Sequence, residues 1–289
     1  MTAPTMAGVI PTRGRPKLLG RTLESLRRAD LEELIIVDDN PEKSTHVREI
    51  AVTALNGSVL RYRVVRSGGV VPGLARNLGA TEAASDLLWF IDDDIEVPSS
   101  TVAALKTFAS DHPGAVLGGG VQVVADEMEL RLCINHSIDF PIDVPQSRPC
   151  GAGEIWACNM VVPRELFDRS GGFSASAVIY GEEFELLCRL ASYEAGLFLV
   201  AEASIRHIRD GHARALPLLI ERRRLRGRNQ VQNARTFGWD LPSPSEHLKW
   251  ALRGLAHSAT TRCVGGRLEA SQALGRIGEQ LRLSRRGES

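Results

Sequence analysis

No run in the 289 residues is apolar for long enough to span a bilayer, which argues against an integral membrane protein. The N-terminal stretch MTAPTMAGVIPTRGRP lacks the basic start and long apolar core of a signal peptide, so a cytoplasmic protein is expected. Cysteine is scarce. The five residues, Cys133, Cys150, Cys158, Cys188 and Cys263, are irregularly spaced and form no C-x-x-C, which argues against a disulfide framework or a zinc site. Cys158 and Cys188 fall in apolar patterns and read as small core residues. Two phosphate-binding signatures are also missing. There is no G-x-x-x-x-G-K-[ST] loop and no G-x-G-x-x-G after the first apolar run, which argues against a P-loop NTPase and a nicotinamide dehydrogenase.

The chain has no net charge, but the charge is unevenly spread. Residues Ala203 to Ser289 hold 17 basic and 7 acidic side chains, net +10, against 18 and 28 before them, net −10. A basic tail can meet phosphates, an anionic membrane surface or nucleic acid, or be only a solvated helical surface. Its aromatics are few (Phe237, Trp239 and Trp250), so stacking on bases is weakly supported and nucleic acid is not an expected partner.

The length suits one large α/β domain or two small ones. Short apolar runs alternate with helical patterns: AGVIP, ELIIVDDN, LRYRVVRS and DLLWFIDDD read as strands. PKLLGRTLESLRRA, THVREIAVTALN, GLARNLGATEAA and SSTVAALKTFAS read as helices, the last capped by Ser99 or Ser100. This rhythm predicts a mainly parallel, doubly wound α/β sheet. Beyond Gly118-Gly119-Gly120 come a strand (GVQVVAD), a turn-rich segment from His136 to Glu154, and a strand (IWACNMVVP). A short helix ending in glycine, a helix from Glu182 stopped by Gly196, and a last strand (LFLVAEASIRHI) follow. From about Leu216 the chain reads as helix, broken at Pro242 to Ser245. The expected division is 1–120, 121–210 and a basic helical extension, 211–289.

Three strand ends deliver polar groups to the edge where open parallel sheets bind ligands: Thr12, Arg13 and Arg15; Asp38, Asp39 and Asn40; and Asp92, Asp93 and Asp94. Burying adjacent like charges is costly. Side chains alternate along an extended chain, so Asp92 and Asp94 can converge while Asp93 turns elsewhere. Such a pair suits Mg²⁺ or Mn²⁺, and the cluster makes electrostatic sense only beside something positive.

The ordered set VIPTRGRPKLLGRTLESL, LEELIIVDDN, GLARNLGATEAASDLLWFIDDDIEVP and GGFSASAVIYGEEFELLCRLASYEAG resembles the GT-A glycosyltransferases, specifically inverting family two. The similarity runs from about Ala7 to Ile208. It implies a GT-A fold with a Rossmann-like nucleotide-binding half, a mixed acceptor half and a helical C-terminal extension. It also implies roles: Pro11, Thr12 and Arg15 lining the nucleoside, Asp39 accepting from the base, and Arg76 and Asn77 near the base or sugar. Asp92 and Asp94 match the D-x-D motif that holds metal on the diphosphate, Asp93 lies nearer the ribose, and His207 matches a histidine that can add a metal contact. The equal alternative for His207 is a strand-end histidine bonded to backbone. Glu182 and Glu183 match the acidic pair at the acceptor helix. Glu183 stands where the family's catalytic aspartate is expected, and Glu182 is the alternative base. Glu185 and Arg189 read as an i,i+4 pair.

The expectation is an inverting glycosyltransferase using Mn²⁺ or Mg²⁺, a UDP- or GDP-sugar donor and a hydroxyl acceptor. The segment from His136 to Glu154, with Trp156 behind it and Asn159 beyond, is expected to shape the acceptor pocket. Peripheral contact with the inner face of a membrane through the basic tail, and a homodimer, stay open. The alternatives are a nucleotidyltransferase making a nucleotide sugar, or a membrane- or nucleic-acid-binding module acting through the tail.

Overall fold

The computed structural model describes residues 3–41, 46–125, 143–175, 181–209 and 216–286. In its first part, strands and helices alternate as β1 (Met6–Thr12), α1 (Pro16–Leu26), β2 (Glu33–Asp38), α2 (His46–Ala54), β3 (Arg61–Arg66), α3 (Pro72–Glu82) and β4 (Leu87–Ile91). Then follow β5 (Ile95–Glu96), α4 (Thr101–Asp111), β6 (Val116–Ala125), β7 (Arg148–Pro149), β8 (Asn159–Pro163), α5 (Arg164–Ser170), α6 (Glu182–Ser192) and β9 (Leu197–Arg209). Three helices end the described chain: α7 (Leu216–Phe237), α8 (Pro244–Thr261) and α9 (Val264–Arg285).

The strands form one sheet in the order β3-β2-β1-β4-β8-β6-β9-β5, with β7 on β9. β3, β2, β1 and β4 are parallel, β8 runs antiparallel to β4, and β5 and β7 run antiparallel to β9. Period-two alternation gives the sheet two apolar faces. Met6, Ile10, Leu34, Ile36, Leu87, Trp89 and Ile91 pack with apolar side chains of α1, α2 and α4. Ala7, Val9, Ile35, Val37, Leu88 and Phe90 pack with those of α3, α5 and α6. Each fully buried Val, Leu, Ile, Phe or Met side chain stabilises by roughly 1.5–3 kcal/mol. Gly79 lets α3 lie close to the sheet, because a Cβ there would stand 2.4 Å from Val9 Cγ1.

Some local expectations are corrected. Ser100 precedes α4 in helical conformation and makes no side-chain cap. The strand predicted from Ile155 begins only at Asn159, whose N–H closes a turn onto Trp156 O. α6 ends at Ser192, four residues before Gly196, and Glu194 takes the left-handed conformation at φ 62°. β5 and β7 were not anticipated; two residues carry no readable periodicity. Cys150, Cys158, Cys188 and Cys263 are thiols, with no disulfide among the described residues; Cys133 and 136–142 of the expected acceptor segment lie outside them.

Two compact units make up the described chain, one holding the sheet and α1–α6, the other α7–α9. In the second unit α9 packs on both α7 and α8 through small residues. A Cβ on Gly275 would meet Arg224 O at 2.1 Å, and one on Gly266 would meet Gly254 O at 2.1 Å, so backbone lies on backbone. Glu279, 1% exposed, accepts from Arg282, Gln232 and Arg228. The expected break is present, with Ser243 capping α8 in a reciprocal box with Glu246. No described helix is long and apolar enough to cross a membrane.

Candidate active site

β1 lies between β2 and β4, so the chain leaves the sheet in opposite directions at this point, and ligands of open α/β sheets bind outside such carboxyl ends. The alternation of β4 continues into the acids. Asp92 falls on the side of α3 and α6, where Arg76 Nη2 donates to its Oδ1 at 2.8 Å and Arg76 Nη1 donates to Glu182 Oε1 at 3.1 Å. Asp93 falls on the side of α1, accepting from Thr12 Oγ1 at 2.6 Å and from Arg15. Arg15 also reaches Asp94 Oδ2 and so spans both acids. β5 pairs Ile95 with His207 on β9, and Ile208 N–H donates to Asp94 O at 2.7 Å. That pairing brings His207 Nε2 to 3.4 Å from Asp94 Oδ1 and 3.9 Å from Asp92 Oδ2. Asp94 Oδ1 is buried without a hydrogen-bond partner, an arrangement that calls for a ligand.

The expectation that the three acids need something positive beside them is met first by Arg15 and Arg76; burial opposes their charge, yet the acids hold both guanidiniums more firmly charged than usual. Compensation differs along the triplet. Burial alone would raise the Asp92 carboxyl, yet Arg76, His207 and Arg15 outweigh it and hold it below the usual range. Burial together with Asp94 and Asp92 pushes Asp93 up to about 6, against the pull of Arg15 and Thr12.

Further residues meet here. The register of β8 sets Asn159 against Ile91, so Cys158 stands opposite Asp92. Among the described residues, Asp92, Cys158 and His207 each offer one ligand atom, all within 4.8 Å of one another. Sequence reasoning took Cys158 for a core residue; buried as it is, only the antiparallel pairing shows its neighbours. Asp39 Oδ1 accepts from Ser67 Oγ at 2.5 Å, Val70 N at 2.8 Å and Gly69 N at 3.2 Å, while Oδ2 faces Arg13. Pro11 lies on β1 opposite Val37, leading into Thr12. Beside this loop a cleft of about 360 Å³ is lined by Thr12, Gly14, Arg15, Asn40, His46 and Ile50 among others, within the roughly 300–1,000 Å³ of small-ligand pockets.

Two of the expected ligand positions are bound to backbone in this structure. Asn77 is occupied at both amide ends by the backbone of Phe173, each bond 2.8 Å, and so ties down the turn before α6. Asn159 is 1% exposed, accepts from Trp89 Nε1 at 3.0 Å and donates to Ala203 O at 2.8 Å, so it stitches the sheet. Trp156 is half-buried against the core. At α6, Glu182 is buried in its pair with Arg76, and Glu183 beside it is half-buried. Glu185 pairs with Arg189 at 2.5 Å.

Comparison with known proteins agrees with this geometry. Residues 9–171, over half the chain, match the family described as glycosyl transferase family 2. Two validoxylamine A glucosyltransferases of Streptomyces hygroscopicus are similar. That of subsp. jinggangensis (strain 5008) is 26% identical across 94% of this chain and 70% of its own length, and that of subsp. limoneus 25% across 94% and 65%. The chain thus spans about two thirds of the length of these curated relatives. Two solved structures share the fold. The mannosyltransferase PcManGT from Pyrobaculum calidifontis, in complex with GDP-Man and Mn²⁺, superposes at TM-score 0.58 with 15% identity, covering 97% of this chain and 76% of that one. S. aureus TarS 1-349 superposes at 0.54 with 13% identity, covering 98% and 92%. From its strand order to the acids at its carboxyl edge, this chain is a GT-A glycosyltransferase and belongs to glycosyl transferase family 2.

Proposed function

We propose that the protein is an inverting glycosyltransferase that takes a sugar from a nucleotide diphosphate and transfers it to an acceptor hydroxyl. The observation that carries this reading is the bridge made by Arg76, which joins Asp92 on the donor side to Glu182 on the acceptor helix α6. One guanidinium thereby sets the distance between the two halves of the reaction. With Glu182 held in that pair, Glu183 is the base. It takes the acceptor proton as the oxygen attacks the anomeric carbon, and the bond from that carbon to the diphosphate oxygen breaks on the opposite face.

Arg15 and Arg76 lie where negative charge develops on the leaving diphosphate, a preorganised stabilisation that needs no reorganisation during the reaction. Asp92, Asp94 and His207 suit a divalent cation, since Asp94 Oδ1 is buried with no hydrogen-bond partner and faces His207. Mn²⁺ or Mg²⁺ bound there would supply Lewis-acid stabilisation to the same oxygens. Thr12, Arg15 and Asp39 would line the nucleoside beside the cleft at the end of β1.

Because the curated relatives are named for glucosyl transfer to validoxylamine A, glucosyl nucleotides head the donor panel and validoxylamine A the acceptor panel. Thermal-shift measurements with UDP, GDP and their sugars, with and without Mn²⁺, test the donor side; no stabilisation by any of them would defeat the reading. Glu183→Gln should lower transfer by about 10²–10⁴-fold, whereas Glu182→Gln should keep at least a tenth of it. The reverse ranking would move the base to Glu182.

A further inference from the structure

The residues that face the cation position are not all oxygen and imidazole donors. Asp92 and His207 share the space with the Cys158 side chain, their ligand atoms lying within 4.8 Å of one another. This follows from two strand registers. β8 opposes β4 so that Cys158 meets Asp92, and β9 opposes β5 so that His207 meets the same acids. A second observation points to a ligand here: Asp94, 3% exposed, turns an Oδ1 that makes no hydrogen bond toward His207 Nε2 at 3.4 Å. Sulfur, imidazole and carboxylate together are a poor match for Mg²⁺, which prefers an octahedron of hard oxygens. Thiolate and imidazole select Zn²⁺ and similar thiophilic ions. Tetrahedral Zn²⁺, with bonds of about 2.0–2.3 Å, sets its ligand atoms roughly 3.5 Å apart, a spacing these side chains can reach by small rotations.

We propose that Cys158 is a ligand at the divalent-cation position, joining Asp92 and His207 with Asp94 at hand, and that it biases the site from Mg²⁺ toward thiophilic cations such as Zn²⁺. The inference rests on the reading of Asp92 and His207 as facing a cation. Binding converts the Cys158 thiol to a thiolate and releases its proton to solvent as the metal–sulfur bond forms. The sequence-based argument against zinc holds for C-x-x-C sites; here the ligands come from three different strand ends.

The test uses the full chain, stripped with a chelator and titrated with Co²⁺ as a spectroscopic stand-in for Zn²⁺. The wild type should develop a near-ultraviolet thiolate-to-cobalt charge-transfer band at one equivalent. Cys158→Ser should lose that band and weaken Zn²⁺ binding by at least about tenfold, while its Mn²⁺ affinity stays within about twofold, which also reports that the variant is folded. A wild type that binds Co²⁺ without the band, with binding lost in His207→Ala, would overturn the cysteine ligation and leave the cation reading intact. Failure to bind Co²⁺ or Mn²⁺ at all, with or without nucleoside diphosphate, would overturn both.

Discussion

Carboxylates are buried against arginines in both units of this chain, with opposite results. In the helical unit, Glu279 has both oxygens occupied, Oε1 by Gln232 and Arg282 and Oε2 by Arg228. Burial would raise its pKa, but those donors bring it down to about 2. In the sheet unit, the donors are shared among three acids: one oxygen of Asp94 makes no hydrogen bond and Asp93 is pushed up to about 6. The first arrangement is saturated and serves the fold. The second is left incomplete, as expected where a ligand finishes the electrostatics.

That contrast can be broken by experiment. The largest effect expected is on catalysis: Asp94→Asn should lower transfer at least ~10³-fold, while thermal unfolding of the donor-free protein shifts little or upward, since a buried, partly unpaired charge is removed. A large drop in melting temperature would make the triplet structural after all. Next, Gly275→Val should abolish the packing of α7 on α9, because its side chain would overlap Arg224 O; proteolysis should then release a trimmed product lacking the helical unit. Glu279→Gln should cost about 2 kcal/mol in urea unfolding, on the scale of lost charge-assisted hydrogen bonds, and leave kcat per folded molecule unchanged.

The smallest effect is that carboxylate's pH dependence. Its folded value lies below its ordinary 4.5, so its contribution is complete above about pH 4.5 and is lost as pH falls toward about 2. The gap in urea midpoint between wild type and Glu279→Gln should narrow from pH 6 to pH 3. A gap that stays constant would mean that the donors do not stabilise the ionised form.

Much of the parallel half was legible because its strands are buried on both faces and its helices carry an apolar stripe. Local pattern suffices for β1, β2 and β4, as for the acids at their ends. It fails where partners are distant. β5 exists only because β9, more than a hundred residues later, pairs with it, and the position of Cys158 depends on the antiparallel register of β8. The backbone bonds of Asn77 and Asn159 could not be read either: an amide near a ligand edge serves equally well to bind backbone, and both do so here. The need for positive charge beside the acids was read correctly, but Arg15 and Arg76 as its first source depend on which face each acid takes. The pair that Glu182 makes with Arg76 is likewise a contact between distant parts of the chain that local pattern does not show.

β5 is two residues long, yet it works as a ruler. Its single pairing with β9, continued by Ile208 N–H on Asp94 O, measures out the distance from imidazole to carboxylates across more than a hundred residues of intervening chain. Loops on either side of it can therefore be exchanged or lengthened without shifting the imidazole against the carboxylates. A one-residue insertion between Asp94 and Ile95 would do the opposite, leaving all of these side chains in the sequence and none at its mark.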